Sequence, residues 1–306
     1  MVGGKGPLAE CIPNFSEGRR LEVLEALADA IRSVPGVRLL HFSADPDHSR
    51  SVFTVVGSPQ PLMEAIFRAA RVAVQQIDME QHHGQHPRLG AVDVIPFVPL
   101  DGVTMADCVH MAEGTAERIA RELGVPAYLY GKAARQSGRV RLPDLRRGEY
   151  EELKANIVLP ERRPDYGEPR LHPTAGATAV GARGPLIAFN INLGTTDLVI
   201  ARKIAKAVRE SSGGLVNVQA RGLWMASRGL AQVSMNLLDY KRTPLYRAFE
   251  MVCLEAERYG VAVVSSEVIE LLPLDAMVDT FVHYLRLEGF GREQVLEWCL
   301  ANTEEH

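Results

Sequence analysis

The chain has 306 residues, 46% of them hydrophobic and 24% charged, enough to bury one large core or two moderate ones. A formal net charge of −4 offers no basic footprint for nucleic acid, and no stretch has the long uncharged apolar run of a membrane span. The opening MVGGKGPLAE lacks a signal-peptide core, so a cytoplasmic location is expected, with Cys11, Cys108, Cys253 and Cys299 as free, mostly buried thiols.

LAECIPN (8–14) reads as a short strand ending at Pro13. Ser16 and Glu17 then open a helix over 19–34, with Leu21, Leu24, Leu27, Ala28 and Ile31 at helical spacing. Pro35-Gly36 breaks it, and VRLLHFS (37–43) and SRSVFTVVG (49–57) follow as strands around the turn-rich ADPDH. Pro61 opens a helix of about 18 residues. In the next stretch, 78–99, Gly84 and Pro87 keep the segment carrying His82, His83 and His86 from being helical, and 91–98 reads as a buried strand. Thr104 caps a helix to Gly124, VPAYLYG is a strand, and 143–158 is helical. The Pro-, Gly- and Arg-rich 159–185 is expected to be the boundary between two halves.

The second half repeats the order. LIAFNINLGT (186–195) is a strand, and Asp197 opens a helix to about Glu210. VNVQARGLWMA and LAQVSMNLLDY pair around Ser227-Arg228-Gly229, 243–259 is a helix, and VAVVSSE is the last strand. The tail from Pro273 is helical and NTEEH is expected to fray. The predicted class is α/β (α+β): two ferredoxin-like β-α-β-β-α-β halves, 1–183 and 184–306, forming a pseudo-duplicate with a groove or tunnel between them.

Three stretches carry candidate chemistry. The histidines read as ordinary surface imidazoles, as metal ligands, or as acid/base groups. His82 and His86 have the spacing of a metal-binding helix, but the helix is broken and no third ligand is evident, so no metal is expected. An imidazole titrates near neutrality, and Arg88 could hold an anionic substrate beside it, which favours the acid/base reading of the cluster, with His82 as a supporting group. In LIAFNIN, Asn190 and Asn192 share one face; in LAQVSMNLLDY, Gln232, Ser234 and Asn236 do the same. Such faces look to water or line a ligand groove with amides. GEPRLHPTAG (167–176), with Gly167, Arg170, His172 and Gly176, reads as an interdomain linker or as a binding loop.

GQHPRLGAVDVIPFVP resembles the signature of the glutamate formimidoyltransferase family, the folate enzymes of histidine breakdown. The resemblance runs collinearly through ECIPNFSEG, DHSRSVFTVVG, PAYLYGKAAR, GATAVGAR, LIAFNIN and LAQVSMNLLDY, covering roughly residues 8–285. It implies transfer of the formimino group of N-formimino-L-glutamate to N5 of tetrahydrofolate, a co-substrate, with no metal. By the same resemblance His86, in the QHPR frame, is the catalytic histidine, and the groove holds the pterin and p-aminobenzoate of the folate. The loop 167–176 matches the family's folate-binding loop, and Arg170, Arg162 and Arg163 read either as solvated charges or as groups that attract the glutamyl tail. The resemblance further implies a homodimer acting on small molecules, without the cyclodeaminase domain fused to some relatives.

The chain departs from the family at Ser43, where a carboxylate is expected, and at His83 and Gln85, where lysine and glutamate are usual. Asp45 or Asp47 is placed to compensate for Ser43. The departures leave open a non-catalytic folate-binding protein or a related formyl-transferring enzyme, and a metal-assisted amidohydrolase using His82 and His86 is the rival from another class.

Overall fold

The structure, a computed structural model, describes residues 6–302. Its chain divides into two compact units, one spanning Gly6–Gly184 and one running on from Pro185. No helix among the described residues is long and apolar enough to cross a membrane.

The first unit begins with β1 (Ala9–Cys11) and β2 (Asn14–Phe15), the single expected strand interrupted at Ile12-Pro13. Helix α1 (Leu21–Arg32), strands β3 (Val37–Asp45) and β4 (Arg50–Gly57), α2 (Pro59–Gln76) and β5 (Val92–Pro99) follow in the expected order. These strands lie in the antiparallel order β3-β4-β1/β2-β5, the ferredoxin-like arrangement. Helix α3 (Met105–Leu123) starts at a capping box in which Thr104 and Asp107 satisfy each other's backbone N–H, and stops at left-handed Gly124. Strand β6 (Ala127–Gly131) and two short helices, α4 (Leu142–Leu145) and α5 (Glu149–Asn156), come next.

Part of the stretch expected as a boundary is itself a strand. Residues Thr178–Ala182 form β7, a fully buried strand that inserts between β5 and β6 and runs parallel to both. The Pro- and Gly-rich composition of 159–185 hid it, because the strand is short and built of small residues. Parallel neighbours require a crossover. The link from β5 to β6 carries α3 over one face of the sheet, where α1, α2 and α3 bury Leu27, Ile66, Phe67, Ile95, Phe97 and Ile119. The link from β6 to β7 brings α4 and α5 to a second hydrophobic cluster, where Leu145, Leu153 and Ile157 pack with Val94, Tyr128 and Tyr130.

The second unit has β8 (Ile187–Leu193), α6 (Leu198–Val208), β9 (Val218–Met225), β10 (Leu230–Leu237), α7 (Leu245–Glu257) and β11 (Val263–Ile269). Asp197 caps α6 by accepting from the Val199 N–H at 2.7 Å. The sheet order is β11-β8-β10-β9, all antiparallel, so both units share one topology. Ile187, Phe189, Ile191, Val233 and Met235 face a core closed by α6 and α7. Helices α8 (Leu274–Leu285) and α9 (Leu296–Asn302) form the tail; the rest of NTEEH lies outside the described residues. Cys11 and Cys108 are fully buried, whereas Cys253 and Cys299 are half-buried.

Candidate active site

The histidine loop between α2 and β5 is pinned along its length. Met79 N–H donates to the Thr174 carbonyl at 2.7 Å, Gln85 N–H to the Asp47 carbonyl at 3.2 Å, and Ala91 N–H to the Ala175 carbonyl at 2.9 Å. Gly84 lies so close to the His48 carbonyl that a Cβ there would sit 2.2 Å from its oxygen. Gly176, at φ +68°, is pressed equally against the loop: its Cβ would lie 2.5 Å from the Leu89 carbonyl oxygen. His172 holds this supporting turn, its Nδ1 accepting from the Ala175 N–H at 3.0 Å and the Thr174 N–H at 3.3 Å.

The histidines have distinct environments. His82 is buried, with Nδ1 3.3 Å from the Arg88 Nε–H and Nε2 2.9 Å from the Ser49 carbonyl oxygen. Arginine can only donate and a carbonyl only accept, so His82 is held neutral with its proton on Nε2. Burial and the adjacent Arg88 charge lower its pKa from the usual 6.5. His83 is exposed.

His86 is half-buried, and its Nδ1 donates to the Pro87 carbonyl at 2.8 Å. In the neutral ring this leaves the lone pair on Nε2. Desolvation, then the charges of Arg50 and Arg146, push its pKa well below 6.5. The His48 ring meets that of His86 edge-on, with centroids 5.9 Å apart. Asp45 accepts from the His48 N–H at 2.9 Å and lies 3.8 Å from its ring Nδ1, while Ser43 sits on edge strand β3 opposite Val52.

The charges facing His86 come from a cluster not anticipated from sequence. Asp93, 0% exposed, accepts from both Arg50 and Arg146 and takes the Leu89 N–H at 3.0 Å. Burial alone would raise its pKa, but the two guanidinium groups and hydrogen bonds outweigh that and lower it. Arg50 also donates to Asn14 Oδ1 at 2.6 Å, and burial pulls its pKa down to about 10. Asp93 reaches this cluster through a register shift. Val94 pairs with Asn14 and Val92 with Phe15, which leaves Asp93 as the extra residue of a bulge. Val92 and Val94 accordingly pack in different hydrophobic clusters. The available signal was a carboxylate inside an apolar strand, which demands a buried partner. Arg146, on a crossover read only as helical, gave no such signal.

Arg88 is directed elsewhere. Its guanidinium binds Glu151 through two nitrogens at 2.6 and 2.9 Å and Glu149 at 3.0 Å, clasping α5 to the histidine loop. Gly167, at φ +88°, and Arg170 are exposed, and Arg170 lies 3.7 Å from Glu168. Arg162 donates to Glu152 at 3.1 Å.

In the second unit the polar alternation is a face, turned away from the helical core. Asn190, Asn192 and Gln232 are nonetheless buried, while Asn236 is half-buried. Gln232 Nε2 donates to Asn192 Oδ1 at 2.9 Å, and Asn192 Nδ2 donates to Ser265 Oγ at 3.0 Å. Gln232 Oε1 is buried without a hydrogen-bond partner among the described residues. Also among the described residues, no group of three or more His, Cys, Asp and Glu side chains is placed to hold a metal ion.

Comparison with known proteins bears on the whole chain. Residues 8–183 match the formiminotransferase domain, N-terminal subdomain, and 188–294 match the formiminotransferase domain. The chain is 47% identical over 291 residues to a glutamate formimidoyltransferase of Streptococcus pyogenes, covering 95% of this chain and 97% of that one. It is 44% identical over 292 residues to that of Thermoplasma acidophilum, covering 95% and 96%. A formimidoyltransferase-cyclodeaminase of Sus scrofa is 47% identical over 288 residues, 92% of this chain but 53% of the relative. With both subdomains matched in order and identity sustained across nearly the full length, the chain belongs to the formiminotransferase family.

Proposed function

We propose that the protein is a glutamate formimidoyltransferase, moving the formimino group of N-formimino-L-glutamate to N5 of tetrahydrofolate. The observation that carries this reading is 47% identity over 95% of the chain to a relative of that name and nearly equal length. Folate is then a co-substrate, and no metal enters the reaction. The N5 lone pair attacks the formimino carbon, His86 Nε2 takes the N5 proton, and the tetrahedral intermediate collapses as His86 returns that proton to the departing glutamate nitrogen. The Nδ1–H bond to the Pro87 carbonyl supports this role, since it leaves Nε2 as the basic nitrogen. Asp45 acts behind His48 in place of the carboxylate missing at Ser43. The halves 1–183 and 184–306 act as the two subdomains, and the polar strand face that carries Asn190, Asn192, Gln232 and Asn236 takes part in folate binding. Gly167, Arg170, His172 and Gly176 belong to the loop assigned to it. The enzyme is taken as a cytoplasmic homodimer, and an exposed apolar stripe on α8, Met277, Phe281, Tyr284 and Leu285, supports the dimer.

The test is turnover: purified protein with both substrates releases glutamate and forms the 5-formimino folate. Folate binding without glutamate release replaces this reading with a non-catalytic folate-binding protein. Two variants refine it. Gly84→Ala forces the loop off the His48 carbonyl and is expected to lower kcat by about 10²-fold, the scale of a roughly 1 Å misplacement. Unchanged kcat in that variant refutes the need for the close approach. Gln232→Leu removes the unpaired Oε1 together with the donor to Asn192, and is expected to raise the folate KM about 2- to 10-fold, the value of one neutral hydrogen bond, with the melting temperature lowered because Asn192 Oδ1 loses its partner. A folate KM equal to the parent's takes Gln232 out of the folate site.

A further inference from the structure

Three features of the charge cluster beside His86 point the same way. Arg50 and Arg146 together carry two positive charges and share one buried carboxylate, Asp93, so one positive charge is uncompensated among the described residues. Arg146 is only 8% exposed, and its Nε–H has no acceptor among the described residues. A buried guanidinium N–H left unpaired is costly, and an arginine presents its donors in a planar fork matched to carboxylates. The cluster also adjoins half-buried His86, whose Nε2 has no hydrogen-bond partner among the described residues, whereas Arg88 is already occupied by Glu149, Glu151 and His82.

We propose that Arg146, with Arg50 beside it, is the receptor for a carboxylate of the formimino donor, holding the glutamate moiety next to His86. This rests on the formimidoyltransferase reading for the donor's identity. The carboxylate accepts the unused Nε–H and neutralises the surplus charge. That has a second consequence at the histidine. The groups acting on His86 are Arg50, Arg146, His48 and the Pro87 carbonyl, and Asp45 stands behind His48. An anion set against the two arginines cancels their repulsion of an imidazolium, so donor binding raises the proton affinity of His86 as the N5 proton arrives.

The experiment compares the full chain with Arg146→Gln and Arg146→Lys, the lysine keeping a cation for Asp93 if the glutamine variant does not fold. L-Glutamate is the probe in calorimetry, and steady-state kinetics vary each substrate. Both variants are expected to bind L-glutamate about 10- to 100-fold more weakly and to raise the donor KM comparably, the scale of a charge-assisted hydrogen bond, with the folate KM unchanged. In the parent, saturating L-glutamate shifts the His86 NMR titration to higher pH; in the variants it does not. Parent-like L-glutamate affinity and donor KM in Arg146→Lys overturn the proposal. So does a raised folate KM with the donor KM unchanged, which assigns Arg146 to the folate's glutamyl tail. If the parent transfers no formimino group but loses L-glutamate affinity on substitution of Arg146, the carboxylate site stands and the enzymatic reading fails.

Discussion

Replacing His86 by alanine is expected to lower turnover by about 10²–10⁴-fold, the usual contribution of a positioned acid/base group, while the protein stays folded. The side chain is half-buried and its one direct hydrogen bond runs to the adjacent Pro87 carbonyl, so its removal opens no core cavity. His82→Ala is the contrasting case. It strips partners from the Ser49 carbonyl and Arg88 Nε, and is expected to cost about 1–3 kcal/mol of stability. Steady-state kinetics with thermal melts on both variants separate the roles, and full activity in folded His86→Ala ends the catalytic assignment. The pH dependence has a defined sign. His82, His86 and His172 all titrate below the ordinary 6.5, chiefly because burial disfavours the charged ring. Below 6.5 the unfolded chain takes up more protons than the folded one, so stability is full above that pH. It is lost as pH falls through the folded-state values, and His86→Ala should flatten the decline.

Substituting Asp93 by alanine is expected to be the most destabilising single change in the site, by about 3–5 kcal/mol, because it leaves Arg50 and Arg146 buried against each other. Asp93→Asn keeps an acceptor and should fall between alanine and the parent. Adding Arg146→Met to Asp93→Ala removes one of the two stranded charges and should recover part of the loss. Denaturant titration of these four proteins and of the Arg146→Met single variant reads this directly. Parent-like stability in Asp93→Ala contradicts the burial and pairing described, and additive losses in the double variant contradict the coupling.

Most of the element order was legible because the physics was local. Thr104 with Asp107, Asp197, and the glycine after α3 mark helix ends through backbone groups that need partners. The faces of β8 and β10 were legible because strand period two separates Ile191 from Asn192 and Val233 from Gln232. What escaped was non-local. Strand β7 is made by insertion between two partners, and nothing in TAVGA itself declares that. The bulge at Asp93 breaks the alternation on which face assignments depend, and Arg146 reaches Asp93 from a segment far along the chain only because of the crossover. The anion-facing role read for Arg88 rested on sequence proximity, whereas its side chain is committed to Glu149 and Glu151.

The late insertion of β7 also sets an order of assembly. Among the described strands β6 pairs with β7 and no other, and the turn that pins the histidine loop, Thr174 to Ala177, immediately precedes β7. During synthesis the loop and β5 emerge long before the residues that hold them. Until Thr178–Ala182 arrives, β5 keeps an unpaired edge and β6 has no sheet to join. Contacts of such sequence separation close slowly, because the intervening chain must lose its freedom first. The histidine loop is therefore among the last parts of its unit to take shape on a growing chain, and a nascent protein that stalls before residue 178 has its histidines but no means of aiming them.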